Sequence, residues 1–283
     1  MTSARSVFVE GIAFWAPLLP GWPVASAVLR GDAPAPVNPA ARPDATQLPP
    51  TERRRVPDTV AIALEVAGRA CAAANVDPAL VPSVFACTHG DLAINDYLCA
   101  TLASSPLLTS PTKFHNSVHN APAGYWSIAT GSNAPSISLA ASKHTFGAGF
   151  LEVATQVMDA GMPVLYVAYD IGARGPLAKL FGTRGMLATG LVLAARASAR
   201  SVAEIVWHLE PATHPEPTPA RIEHAGLVEP NAMASCLALF EALAGSAPST
   251  VLQTLGDSLA LRLAVRPCTI PGIGHGGAGP GQQ

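Results

Sequence analysis

Chemistry is first sought at Ser142-Lys143-His144-Thr145, four polar residues between two apolar runs. The run before them, residues 136–141 (SISLAA), follows Pro135 and suits a short strand buried on both faces. The run after them, residues 146–160, is apolar nearly all round, with Glu152, Gln156 and Asp159 the main exceptions, and suits a core helix. Thr145 is a fair N-cap for it. Gly147 and Gly149 cost such a helix about 1 kcal/mol each relative to Ala, so tight backbone packing is expected there. A strand-turn-helix junction is a good seat for a nucleophile. The helix N-terminus lowers a thiol pKa, and its free N–H groups can hold an oxyanion. No cysteine stands in this turn. Ser142 or Thr145 with a nearby His would make a stand-alone acyltransferase or hydrolase. Residues two apart on a tight turn seldom face each other, however, and no G-x-S-x-G elbow surrounds them.

Upstream, His115 and His119 are four apart and would share a helix face. H-E-x-x-H is absent and no third ligand is evident, so structural histidines are expected rather than a metal site. Asn116, Ser117 and Asn120 fit a buried polar network that fixes a turn. Tyr125 and Trp126 suit either the core or an interface or acyl pocket. Arg53-Arg54-Arg55 reads as a solvated or salt-bridged cluster, with a carrier-protein-facing role as the alternative. Cys71, Cys87, Cys99, Cys236 and Cys268 show no CxxC spacing and read as small apolar core residues in a reducing compartment. No cofactor is implied.

The chain has 283 residues, 49% of them hydrophobic and only 13% charged, so a partner subunit is expected to cover part of its surface. No apolar run is long enough for a membrane span. A net charge of -2, with no basic cluster beyond the three arginines, argues against nucleic acid. Glu10 and Pro17 interrupt any signal-like layout, so the expected location is cytoplasmic.

The elements that must position these residues follow from pattern. Residues 6–13 read as a strand and 15–51, rich in Pro, Ala and Gly, as a long ordered coil. A helix starting at Asp58 or Thr59 as cap repeats Val60, Ala63, Leu64, Ala67 and Cys71 on one face and stops near Asn75. Residues 83–87 make a buried strand, 92–103 a helix and 164–169 an apolar strand. Residues 170–185 read as a loop, 186–195 and 202–209 as strands, 231–244 as a helix, and 259–265 as helix or strand. Alternation of strands and helices favours an α/β domain with a mixed sheet.

The segments FHNSVHNAPAGYWSIATG, APSISLAAS, TFGAGFLEVATQVMDAG and VLYVAYD resemble the N-terminal half of β-ketoacyl synthases, in the thiolase-like superfamily. LPPTERRRVPDTVAIALEVA and VFACTHGD strengthen the match. More narrowly, PTERRR with SPTKFHNSVHNAPAGYWSIA looks like the short ketosynthase-like chain length factors of aryl polyene pathways. The likeness runs from about residue 6 to 195. It implies a truncated thiolase-like (ketosynthase) α/β fold with a mixed sheet and layered helices. Residues 1–269 would form one domain with a reduced C-terminal half, and 270–283 a flexible Gly-rich tail. The family's catalytic Cys is missing near Ser142, Lys143 and His144. Its two catalytic histidines are missing too, since His208, His214, His224 and His275 lack their motifs. The resemblance therefore implies a non-catalytic subunit. It would pair with a catalytic β-ketoacyl-ACP synthase through the strand at 135–141 and wall its acyl tunnel with residues 114–133. The residues expected there are Phe114, His115, Asn116, His119, Asn120, Tyr125, Trp126, Ser136, Ile137, Ser138, Leu139 and Phe146. An acyl carrier protein is a further expected partner, and a carrier-binding module the remaining alternative.

Overall fold

The protein is described by a computed structural model over residues 5–268. The chain opens with β1 (Arg5–Ala16), β2 (Leu19–Pro20), α1 (Trp22–Arg30), α2 (Pro50–Arg53) and α3 (Asp58–Ala74). β3 (Ser83–Ala86), α4 (Leu92–Ser104), α5 (Pro111–His115) and α6 (Ala121–Thr130) follow. Next come β4 (Ser136–Leu139), α7 (Thr145–Ala160), β5 (Val164–Ile171), α8 (Gly175–Phe181), β6 (Met186–Ala194) and β7 (Ala203–Pro211). α9 (Leu237–Ala244), β8 (Ser249–Thr254) and β9 (Leu259–Pro267) complete it.

The nine strands of the described residues form one mixed sheet of order β4-β3-β5-β6-β1-β7-β9-β8, with β2 beside β1. β4, β3 and β5 run parallel, and the remaining pairings are antiparallel. Side chains alternate across a strand, so each strand feeds two cores. Phe14 and Tyr166 point into the layer holding α1, α7 and α9, with Phe146, Phe150 and Phe240. Trp15 and Tyr169 point into the layer holding α3 and α6, with Leu64 and Trp126. α3 lies directly on the sheet: a Cβ at Gly190 would stand 2.6 Å from the Val66 carbonyl oxygen.

Several expectations change. The coil over 15–51 contains α1, where Val28 and Leu29 bury an apolar stripe and Gly31, at φ 80, ends the helix. The density of Pro and Gly hides this stripe, although Pro in a first helical turn is compatible with helix. α3 has Pro57, not Asp58 or Thr59, as its N-cap, and Thr59 instead donates to Asp91 at 3.0 Å. The 170–185 loop contains the end of β5 and all of α8. The helix expected over 231–244 begins only at Leu237, after a 3₁₀ turn at Ala234–Cys236. Residues 259–265, open between helix and strand, form β9, and its partner β8 was not foreseen. Of the five free thiols, Cys71, Cys87 and Cys236 are buried, whereas Cys99 is exposed and Cys268 intermediate. The expected tail over 270–283 lies outside the described residues.

The largest correction concerns residues 136–141. Only Ser136–Leu139 form a strand, and it is a sheet edge paired on one side with β3, not a strand buried on both faces. Ser136 and Ile137 are exposed. The apolar run resembles an inner strand, but among the described residues no strand lies beyond it.

Candidate functional site

The turn after β4 is built by hydrogen bonds that start and end within five residues. Ser142–His144 form a 3₁₀ turn leading into α7. Ser142 has φ 51, the left-handed region that costs a non-glycine residue and persists only where surroundings impose it. Thr145 imposes it. Its hydroxyl donates to the Ser142 carbonyl at 2.7 Å and accepts the Ala141 N–H at 2.9 Å. Thr145 is thus a latch inside the helix rather than its cap; His144 occupies the N-cap position without a side-chain capping bond. Thr88 reaches the same Ser142 carbonyl from the end of β3, at 3.5 Å.

His144 places Nδ1 2.7 Å from the Thr254 hydroxyl on β8. Ser142 and Lys143 are exposed, and among the described residues no hydrogen bond joins the Ser142 hydroxyl to an imidazole. The turn therefore keeps an uncapped helix N-terminus and a strained backbone while offering Ser, Lys and His instead of a thiol. Behind it, the glycines answer the expected close packing. A Cβ at Gly149 would meet the Tyr166 hydroxyl oxygen at 2.6 Å, and one at Gly147 the Thr254 carbonyl at 3.0 Å. Tyr166 Oη donates to the Phe146 carbonyl at 2.7 Å, fixing α7 to the sheet.

Cys87 stands one residue before Thr88, but it lies on the wrong face. Val84 and Ala86 join the α7 core, while Phe85 and Cys87 join the α3 core. Burial, then the neighbouring Asp170, pushes the Cys87 thiol well above its ordinary pKa. Asp170 is the last residue but one of β5, a strand buried throughout, and is itself fully buried. Burial raises its carboxyl to about 7, against the opposing hydrogen bond from Thr88 N–H at 2.8 Å. Its Oδ1 has no partner. Its only signal in the sequence is an acid at the end of an apolar run, VLYVAYDI.

The residues expected at an interface or tunnel separate into three groups. Phe114, His115, Asn116, Asn120 and Tyr125 line one cavity of about 730 Å³, together with Val118 and Ile128. His115 meets the Tyr125 ring edge-on at 6.3 Å between centroids. Ser136, Ile137, Ser138 and Leu139 lie on the open edge of the sheet. Trp126 and Phe146 are in the cores, 2% and 1% exposed. His115 and His119 do not share a helix face, because Asn116 caps α5 and a turn follows before α6. His119 instead brings Nε2 to 2.7 Å from the Cys87 carbonyl. The expected polar network shrinks to a buried Asn116 with an unpartnered Oδ1, a Ser117 hydroxyl bonded to the Phe114 carbonyl, and an exposed Asn120. Phe114, Val118, Ile128 and Ile137 are large apolar residues left exposed on or beside this face. Among the described residues no group of three His, Cys, Asp or Glu side chains could hold a metal, and no helix is long and apolar enough to cross a membrane.

This sheet, and the turn between its edge strand and a buried helix, recur in known proteins. The family model of the β-ketoacyl synthase N-terminal domain matches residues 29–244. The chain belongs to that family. Its match extends past residue 195, where the sequence resemblance faded, and reaches the end of α9. No curated protein matches in sequence. Among solved structures, a ketosynthase in complex with its chain length factor from Xenorhabdus doucetiae aligns with TM-score 0.67 at 20% identity, over 92% of this chain and 99% of that one. The ishigamide ketosynthase/chain length factor aligns with TM-score 0.67 at 14% identity, over 93% and 100%. A type II polyketide synthase acyl-carrier protein in complex with its ketosynthase gives 0.68 at 13% identity, over 94% and 100%. At such identities the agreement establishes the thiolase-like ketosynthase fold. The ketosynthase-family chain thus has the family's sheet and helices, without a cysteine in its strand-to-helix turn.

Proposed function

We propose that this ketosynthase-family chain is a non-catalytic subunit, a chain length factor, that pairs with a catalytic β-ketoacyl synthase and shapes its acyl tunnel. One observation carries the reading: the turn at 142–144 keeps its strained backbone and helix N-terminus but has no thiol, while the strand leading into it has one open edge. A turn with no thiol, and no imidazole hydrogen-bonded to its serine hydroxyl among the described residues, lacks an activated nucleophile for an acyl-enzyme. An open strand edge, beside exposed Phe114, Val118, Ile128 and Ile137, is suited to strand pairing and apolar burial across a subunit contact. The Tyr125 cavity opens beside this face and would contribute a wall to the tunnel. Carbon–carbon bond formation, with loss of carbon dioxide from the malonyl unit, would occur at the partner's cysteine.

The structural neighbours support this role, since two of them combine a ketosynthase with a chain length factor. The aryl polyene assignment rests on PTERRR and SPTKFHNSVHNAPAGYWSIA. An acyl carrier protein is the expected third component. The test is co-expression with a cysteine-bearing ketosynthase encoded in the same genome. Stable co-purification, acyl label on the partner only, and altered product length for Tyr125→Ala are expected. Acyl label on this chain, or a stable protein that ignores every such ketosynthase, refutes the proposal.

A further inference from the structure

β1 is paired on one side with β6 from Phe8 to Trp15, but on its other side only near its two ends. There β7 covers it through Val9 and β2 from Trp15 onward, so among the described residues Glu10–Phe14 face no strand. The direction of the backbone in this gap follows from its flank. Trp15 stands opposite Pro20, which has no N–H, so the hydrogen-bonded pair of that hairpin is Ala16 with Leu19. Bonded positions alternate along a strand, and Phe14 and Ile12 therefore turn their N–H and C=O groups to the same open side. Ile12 is 7% exposed, and its N–H and carbonyl meet no turn or loop backbone among the described residues. Buried backbone groups are almost always paired, so this edge lacks an occupant.

The gap borders a cavity of about 620 Å³. Its apolar walls come from both layers of the fold, Phe14 and Trp22 on one side and Trp15 and Val66 on the other. Most of the charges around it are already committed. Glu65 accepts from Arg69 Nε at 2.9 Å and from the Ala45 N–H at 2.8 Å. Arg42 donates to the Val56 carbonyl at 2.6 Å and lies 3.3 Å from Asp58. Asp44, the remaining charge, is exposed. An apolar wall beside an unpaired strand edge suits an uncharged extended chain better than an ion.

β9 leads such a chain to the gap. Cys268 N–H donates to the Val202 carbonyl at 3.0 Å, and Val202 N–H to the Val9 carbonyl at 2.8 Å, so Cys268 stands one strand away from the point where the gap begins. β9 is antiparallel to β7 and β7 to β1, so β9 heads along β1 in the direction of Ile12. The residues that follow, 269–283, read TIPGIGHGGAGPGQQ and contain no Asp, Glu, Lys or Arg. We propose that residues 269–273 of this segment dock as a parallel strand on the open edge of β1 and set Ile270 and Ile273 against the cavity walls. The reach agrees: from Val9 to Ile12 is about 10 Å at ~3.3 Å per residue, which the three residues after Cys268 span. The register agrees as well. Cys268 turns its N–H toward β1, so alternation turns Ile270 and Gly272 the same way and Pro271, which has no N–H to offer, to the outer side. Ile270 and Ile273 then fall on opposite faces of the added strand and meet opposite walls. This docking does not rest on the subunit role proposed above.

The test is amide hydrogen exchange over residues 10–14 in the full chain and in three variants. Ile270→Asp puts a charge against the apolar wall, Gly272→Pro removes an N–H facing β1, and Ala278→Asp lies beyond the docked residues. Exchange at Val167, in the middle of β5, reports whether the fold is intact. The Ile12 amide should be protected in the natural chain and in Ala278→Asp, and should exchange ~10-fold or more faster in Ile270→Asp and Gly272→Pro, with Val167 unchanged in all four. Equal exchange at Ile12 in all four proteins, or equal acceleration by Ala278→Asp, would overturn the proposal. Protection that fades on dilution would overturn it too, because the added strand would then come from a second copy of the chain.

Discussion

Asp170→Asn isolates a single buried carboxyl. In the folded chain its pKa is about 7, against an ordinary 3.8, because burial disfavours the charged form. The sign follows from proton binding. Below the ordinary pKa both states hold the proton and the folded protein keeps its full stability. As pH rises toward 7, the unfolded chain releases the proton while the folded chain retains it, and stability falls. Above the folded pKa the loss levels off. The displacement of about three units amounts to roughly 4 kcal/mol across that window. Asparagine keeps an acceptor for the Thr88 N–H and removes the titration. Its amide gains no certain partner at the Oδ1 position, which costs about 1–3 kcal/mol at every pH. Urea unfolding of both proteins at pH 4, 6 and 8 separates the two effects. The wild type should lose stability relative to the variant as pH rises, with the steepest change between pH 4 and 7. Parallel curves, or a variant that gains in relative stability toward acid, would refute the assignment of a neutral buried acid.

Other expectations concern the turn, the helix behind it and the open edge. Thr145→Val removes the latch on the Ser142 carbonyl and the Ala141 N–H. It should destabilise by about 1–3 kcal/mol in thermal or urea unfolding, whereas Thr145→Ser should restore most of that. Gly149→Ala forces a methyl against Tyr166 and should cost about 1–3 kcal/mol; combining it with Tyr166→Phe should recover part of the loss, as a double-mutant cycle would show. Trp126→Ala should cost about 3–5 kcal/mol by opening a cavity under α6. Ile137→Asp on the edge strand should leave the chain folded by circular dichroism yet abolish co-purification with a ketosynthase, and unchanged complex formation would move the interface elsewhere.

Much of this protein was determined by sequence alone, where the signal is local. α3 and α7 as helices, the apolar strand β5, the turn at 142–144 and its missing thiol are set by residue type and spacing; burial is not, since α3, which repeats apolar residues on one face, is buried nearly all round, and α7, apolar nearly all round, leaves Thr155 and Met158 exposed. The family follows from long segments such as FHNSVHNAPAGYWSIATG. Tertiary structure decided what depends on neighbours distant in the chain. SISLAA reads as an inner strand until the sheet order places it at an edge. The His115 and His119 spacing suggests one helix face until Asn116 ends the helix between them. Cys87 is close in the chain to a residue touching Ser142, yet strand alternation turns its sulfur to the opposite core. Asp170 becomes a buried acid with a raised pKa only when neighbouring strands close around it. Burial and charge proximity are sums over contacts from many segments, and no local pattern encodes such a sum.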